Sequence, residues 1–250
     1  MQYGICALSI VPVRFSPDHQ SEMVTQILYG EHFKILEQRK HWSKVRIALD
    51  GCEGWAVNNQ LHKISESDYK DIESRNSNEC SSDLISYVET KKNLLVPIVL
   101  GSTIGNTALL QHKFEGGSVN GPHDKSNLIS MALLYLNTPY LWGGRSPFGI
   151  DAAGFAQMVY KLHGCNLHRK AQEQATVGTA LSFIEESEAG DLAFFDNSEG
   201  VIDHVGLIMD NNYIIHVNGK VRIDRLDHTG IFNTEEGNYT HNLRVIKKVL

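Results

Sequence analysis

Apolar and polar positions alternate in short stretches through the first 64 residues. Apolar runs recur at Ile5–Val13, Met23–Ile27, His32–Leu36, Trp42–Ile47 and Gly54–Val57. Turn residues separate them at Ser16-Pro17-Asp18, Tyr29-Gly30 and Asp50-Gly51. Five short strands at this spacing predict a small β-barrel over 1–64. Residues 65–83 are rich in Ser, Asn, Asp and Glu and read as a linker with room for a helical turn. Between 84 and 124, apolar pieces (Leu84–Val88, Leu94–Leu100, Ala108–Leu110) lie among glycines, as in a second, degenerate barrel segment.

From Lys125 the period changes. Leu128–Leu136 reads as a helix. A second helix follows Asp151, where Phe155, Met158, Val159 and Leu162 fall at i, i+3, i+4 and i+7. Asp151 is a good N-cap and Gly164 is placed to end the helix. Five β-rich runs come next: Leu192–Phe195, His204–Met209, Tyr213–Val217, Val221–Ile223 and Leu243–Val249. Helices followed by an antiparallel sheet predict an α+β domain over 125–250.

Net charge is -6, from 23 Lys and Arg against 29 Asp and Glu, which argues against a general nucleic-acid binder. No apolar run approaches the ~20 residues of a membrane span. The N-terminus lacks the charged opening of a signal peptide. Cys6, Cys52, Cys80 and Cys165 are scattered, with no metal-site or disulfide spacing. The expected setting is the cytoplasm.

The chemistry centres on Tyr140–Gln157, a glycine-rich loop feeding the capped helix. The first helical residue sits where backbone N–H groups are unpaired and the helix dipole is positive, so a cysteine there would ionise readily. That residue is Ala152. Downstream, His204 and His216 flank Asp210-Asn211-Asn212. If all three polar residues form the turn, Met209 pairs with Tyr213 and Gly206 faces His216. Both imidazoles then share one face, with room left by the glycine. His163, His168, His228 and His241 have no such context and read as surface groups. A zinc site on His204 and His216 is not expected, because no further ligand stands at a recognisable spacing.

These motifs resemble the NlpC/p60 family of papain-like cell-wall peptidases. The family's D-C-S-G-F motif stands here as Asp151-Ala152-Ala153-Gly154-Phe155, after Tyr140-Leu141-Trp142-Gly143-Gly144. Its G-D-L-x-F-F strand is Gly190 to Phe195, and its two histidines are His204 and His216. The first 64 residues resemble a bacterial SH3 domain through Arg14, Gly30-Glu31, Trp42, Val45 and Gly54-Trp55. The 84–124 segment then reads as a second, degenerate SH3-like unit. The combination is similar to γ-D-glutamyl-L-diamino acid endopeptidases, which act on murein peptides with a free N-terminal L-alanine.

The resemblance implies a cysteine nucleophile at position 152, His204 as general base, His216 orienting it and Tyr140 near the oxyanion. It implies that Asp151, an SH3 acid (Glu22) and a tyrosine at the place of Cys52 hold the substrate amine, with Ala153 and Trp142 beside them. It implies no metal or other cofactor, and a murein peptide as partner. Ala152 removes the nucleophile, Ala153 stands where serine is frequent, and Arg169-Lys170-Ala171 where an Arg-Asp pair is usual. The chain is therefore expected to hydrolyse nothing. Two functions follow: a murein endopeptidase seen without its nucleophile, or a noncatalytic murein-peptide binding protein.

Overall fold

The computed structural model describes residues 2–75, 79–122 and 124–250. The chain begins with a seven-stranded antiparallel sheet ending at His62–Ile64. Its inward positions alternate as the sequence pattern requires, and Val11, Val13, Ile27, Phe33, Val45 and Ile47 form its core.

The stretch expected as a linker carries more structure than that. A helix spans Glu66–Ser74, opened by a capping box in which Ser65 and Asp68 satisfy each other's backbone N–H groups. Tyr69 and Ile72 anchor it. Its polar composition had masked a short amphipathic element. The segment after it forms its own three-stranded sheet (Leu95–Val99, Ile85–Thr90, His112–Phe114) and pairs with no strand of the first sheet.

In the last part, helices Asn127–Leu133 and Ala152–His163 pack on a second seven-stranded antiparallel sheet. Phe155, Met158, Val159 and Leu162 are buried, as the 3.6-residue period demands. They meet Phe194, Val205, Leu207 and Ile215 from the sheet. The same core includes Leu28 from the first sheet and Leu100 from the middle segment, so the three parts share one interior.

A buried charge cluster ties these parts together. The Glu31 carboxylate, on the first sheet's side, accepts from Arg145 NH1 and NH2 (2.9 and 2.8 Å) and from Lys161 Nζ (2.7 Å). It also accepts the Leu28 backbone N–H. Arg145 belongs to the glycine-rich loop and Lys161 to the helix that starts at Ala152. Lys161 Nζ donates further to the Gly101 carbonyl of the middle segment. Burial alone would raise the Glu31 pKa, but the two cations outweigh it and bring it from 4.5 down to about 2.

Two outcomes follow. Glu31→Gln leaves two buried cations without their counter-charge and is expected to cost about 3–5 kcal/mol in denaturant unfolding; a loss below about 1 kcal/mol would refute the role. Because the folded pKa is depressed, the Glu31 contribution is whole above pH 4.5 and is lost as pH falls toward 2. An acid-unfolding curve that Glu31→Gln leaves unchanged in that window would contradict it.

Candidate active site

Asp151 ends an extended segment and starts the helix, and its Oδ1 accepts the Gly154 N–H at 2.7 Å. Gly164, in the left-handed region, ends the helix as the sequence implied. The loop before it is pinned to the first sheet. Gly143 has φ +74°, and a Cβ there would lie 2.3 Å from the Met23 carbonyl, so only glycine fits.

The hairpin forms in the expected register. Met209 pairs with Tyr213 and Gly206 with His216. The polar turn is tight because Asn211 and Asn212 take positive φ. A Cβ on Gly206 would lie 2.9 Å from the His216 Cβ, so the missing side chain is what admits the ring. His204 and His216 share one face, with His204 Nε2 and His216 Nδ1 3.0 Å apart. His216 Nε2 lies 2.9 Å from Asp224 Oδ2, and Arg222 holds both oxygens of that carboxylate.

Asp224 therefore fixes the tautomer: His216 carries its hydrogen on Nε2 and presents an Nδ1 lone pair to His204. Burial, then the neighbouring imidazoles His241 and His216, hold the His204 pKa well below 6.5. Burial likewise lowers that of His216, against the pull of Asp224. Both rings are neutral at pH 7, and Asp224 is ionised, since its bonds to His216 and Arg222 outweigh burial.

The structure corrects the reading of two other histidines. His163 is buried rather than on the surface. His241 stacks on His204, centroids 3.9 Å apart at 24°, and its ring centre lies 5.7 Å from that of His216. His241, expected at the surface, thus stands beside the pair although no sequence spacing marks it. Burial, then the His216 ring, lowers the His241 pKa to about 4. His241 was missed because its strand, Asn238–Lys248, begins five residues earlier than the apolar run suggested. Asp224 was missed because its place depends on the turn at Gly219. Once Val217 pairs with Val221, His216 faces Arg222 and Asp224 falls on the diagonal of the same face.

One cleft of about 1350 Å³ brings sequence-predicted residues together: Glu22 and Cys52 from the first sheet's side, Tyr140, Trp142, Asp151, Ala152 and Ala153 from the loop and helix start, and His204 from the second sheet, with the unforeseen His241 beside it. His216 lies behind His204, fully buried. Tyr140 and Trp142 are half-exposed at the rim. Trp142 Nε1 donates to Glu22 Oε1 at 2.6 Å, joining rim to first sheet.

Asp151 differs from the expectation placed on it. Its Oδ1 accepts from Gly154 N and Arg169 NH1; its Oδ2 accepts from Gly143 N (2.8 Å) and Arg169 NH2 (2.6 Å). Four donors fill a carboxylate's accepting directions, which leaves none for a substrate amine.

Comparison with known proteins identifies the two domains. Residues 137–236 match the NlpC/P60 family, and residues 13–61 match the bacterial dipeptidyl-peptidase SH3 domain. The chain joins a bacterial SH3 domain to an NlpC/P60 domain. A γ-D-glutamyl-L-lysine dipeptidyl-peptidase of Bacillus cereus is 27% identical over 229 residues, covering 78% of this chain and 67% of that protein. Dipeptidyl-peptidase 6 of Lysinibacillus sphaericus is 26% identical over 247 residues, covering 84% and 87%. A crystal structure of an NlpC/P60 family protein from Bacillus cereus shares the fold over 99% of both chains, with a TM-score of 0.77 at 18% identity. The matched NlpC/P60 segment contains the helix start, His204 and His216, and stops short of His241.

Two measurements check this site. Asp151→Asn weakens the pairing with Arg169 and is expected to cost about 2–3 kcal/mol of stability; unchanged melting would refute its structural role. His241 should titrate near 4 by NMR. Its folded pKa is depressed, so its contribution to stability is full above 6.5 and is lost as pH falls toward 4. A His241 midpoint near 6.5 would contradict the packing.

Proposed function

We propose that this chain captures murein peptides containing a γ-D-glutamyl–diamino acid bond and a free amino terminus, in the cytoplasm, and does not cleave them. The observation that carries the reading is the helix start: Ala152 opens into the same cleft as His204, whose partners His216 and Asp224 are in place. Two relatives are named γ-D-glutamyl-L-lysine dipeptidyl-peptidases and a third a dipeptidyl-peptidase, which supports this substrate class. A relay of that form serves a thiol at the helix start, taking its proton as the sulfur attacks the amide and returning it to the leaving amine. Alanine offers no such atom.

No other cysteine stands in for it. Burial, opposed by the Leu8 backbone and reinforced by Glu31, pushes the Cys6 thiol up to about 12. Burial and Asp50 push Cys52 to about 11, and burial also raises Cys80 and Cys165. All four are free thiols, which suits a reducing compartment. Among the described residues no helix is long and apolar enough to cross a membrane.

Of the acids lining the cleft, Glu22, held by Trp142 at the rim, is the one assigned to the substrate amine, since Asp151 is saturated. Cys52, at the expected tyrosine position, supplies no phenolic hydroxyl. Tyr140 at the rim and the backbone N–H groups of the helix start would face the scissile carbonyl.

Calorimetry with L-Ala-γ-D-Glu-L-Lys should show micromolar binding and no hydrolysis. Glu22→Gln should weaken binding by about ten-fold or more, as loss of a charge-assisted hydrogen bond does. Ala152→Cys should restore cleavage. No binding by the native chain, or measurable turnover by it, would sink the proposal; binding without turnover in Ala152→Cys would assign the cleft to capture alone.

A further inference from the structure

His204, His216 and His241 come from three different strands, yet one ring nitrogen of each lies within 4.8 Å of the other two. A peptidase relay uses the first two. The third has no part in it, although it is stacked face to face on His204 at the wall of the cleft. We propose that these three imidazoles bind a divalent cation of the zinc class, with its remaining coordination position open to the cleft beside Ala152.

The spacing suits such an ion. Zinc–imidazole bonds of about 2.0–2.1 Å in a tetrahedral site put ligand nitrogens about 3.3 Å apart. His204 Nε2 and His216 Nδ1 are already 3.0 Å apart, facing each other across a shared hydrogen. An ion takes the place of that hydrogen, and His204 moves its N–H to Nδ1. No net proton need be released, since both rings are neutral before binding. His241, with a ring nitrogen within 4.8 Å of the other two, turns out of its stack on His204 at the cleft wall to aim its in-plane lone pair at the ion.

The surroundings suit it too. His216 donates its other nitrogen to Asp224, the carboxylate–histidine arrangement that orients a ligand ring and raises its basicity. Arg222 fixes that carboxylate in turn and offsets its charge, so the ion would sit among neutral ligands. Three imidazoles without a thiolate or carboxylate favour zinc, cobalt or nickel over magnesium and calcium. Three protein ligands with one position open is the pattern of a reactive zinc site rather than a structural one. The proposal does not rest on peptide capture, because it concerns the histidines without ligand.

The test uses the full native chain after chelator treatment, titrated with ZnCl₂ by calorimetry at neutral pH without peptide. It is repeated with MgCl₂ and with CoCl₂, the latter followed by visible absorption. The expected result is about one zinc per chain, no magnesium uptake, and the intense d–d bands of tetrahedral cobalt. His241→Gln, a change at the cleft wall, should weaken zinc binding at least ten-fold with melting retained. Asp224→Asn should weaken it about 10–100-fold. Absence of zinc binding would overturn the site, as would zinc binding that His241→Gln leaves unchanged. Should His241→Gln fail to fold, His241→Asn takes its place under the same criterion.

Discussion

The Glu31 carboxylate is the point on which the geometry of the cleft depends. It stands on the first sheet's side, yet its partners are the loop before the helix start and the helix itself. An ion pair this deeply buried contributes little net stability over an apolar substitute, because desolvation consumes most of the attraction. What it supplies is position. Arg145 forms a two-pronged pair with Glu31 and also grips the Gln26 carbonyl, so the loop cannot slide along the first sheet without leaving buried charge unpaired. Lys161 does the same for the helix and draws in Gly101. The wall holding Glu22 and the wall holding Ala152 are thus fixed relative to each other by three charges in the interior.

The helix start shows how one residue change redistributes roles. Asp151 both caps the helix and anchors Arg169, and Arg169 in turn donates to Thr25 of the first sheet. That places a hydrogen bond from a charged donor across the same boundary. Lys170 follows Arg169 in sequence, and Arg169 directs both prongs at Asp151. The carboxylate that a free amine would seek is spent on structure, and the negative charge left for ligand lies on the opposite wall.

The sequence disclosed what depends on local periodicity. The helix after Asp151 follows from its apolar stripe, and the register of His204 against His216 follows from counting three polar turn residues. Glycine at 206 was enough to say that a ring fits opposite it. What escaped is carried by contacts distant in the chain. His241 reaches the histidine pair only because Asn238–Lys248 runs beside both Leu192–Asp196 and Gly230–Asn233. Nothing in its own neighbourhood marks it. Glu31 could be aligned with a family motif, but an acid after a glycine reveals nothing of an arginine 114 positions away. The helix at Glu66–Ser74 was legible only as a helical turn, because it is short, polar and anchored by two residues.

The state of the imidazoles connects these threads. A histidine that is to take a proton from a thiol is served by an adjacent acid that stabilises the cation it becomes. His216 has Asp224 for this, and through it His204 is oriented. Yet His204 is also buried against two further imidazoles, which disfavours its charged form. With a thiol at position 152, the thiolate would offset that penalty by pairing with the imidazolium. With alanine there, no thiolate pairs with the imidazolium, and burial with the neighbouring imidazoles favours the neutral form of His204. Without a sulfur at position 152, the neutral imidazoles keep lone pairs that a proton relay would otherwise use, the chemistry on which a metal site at these rings depends.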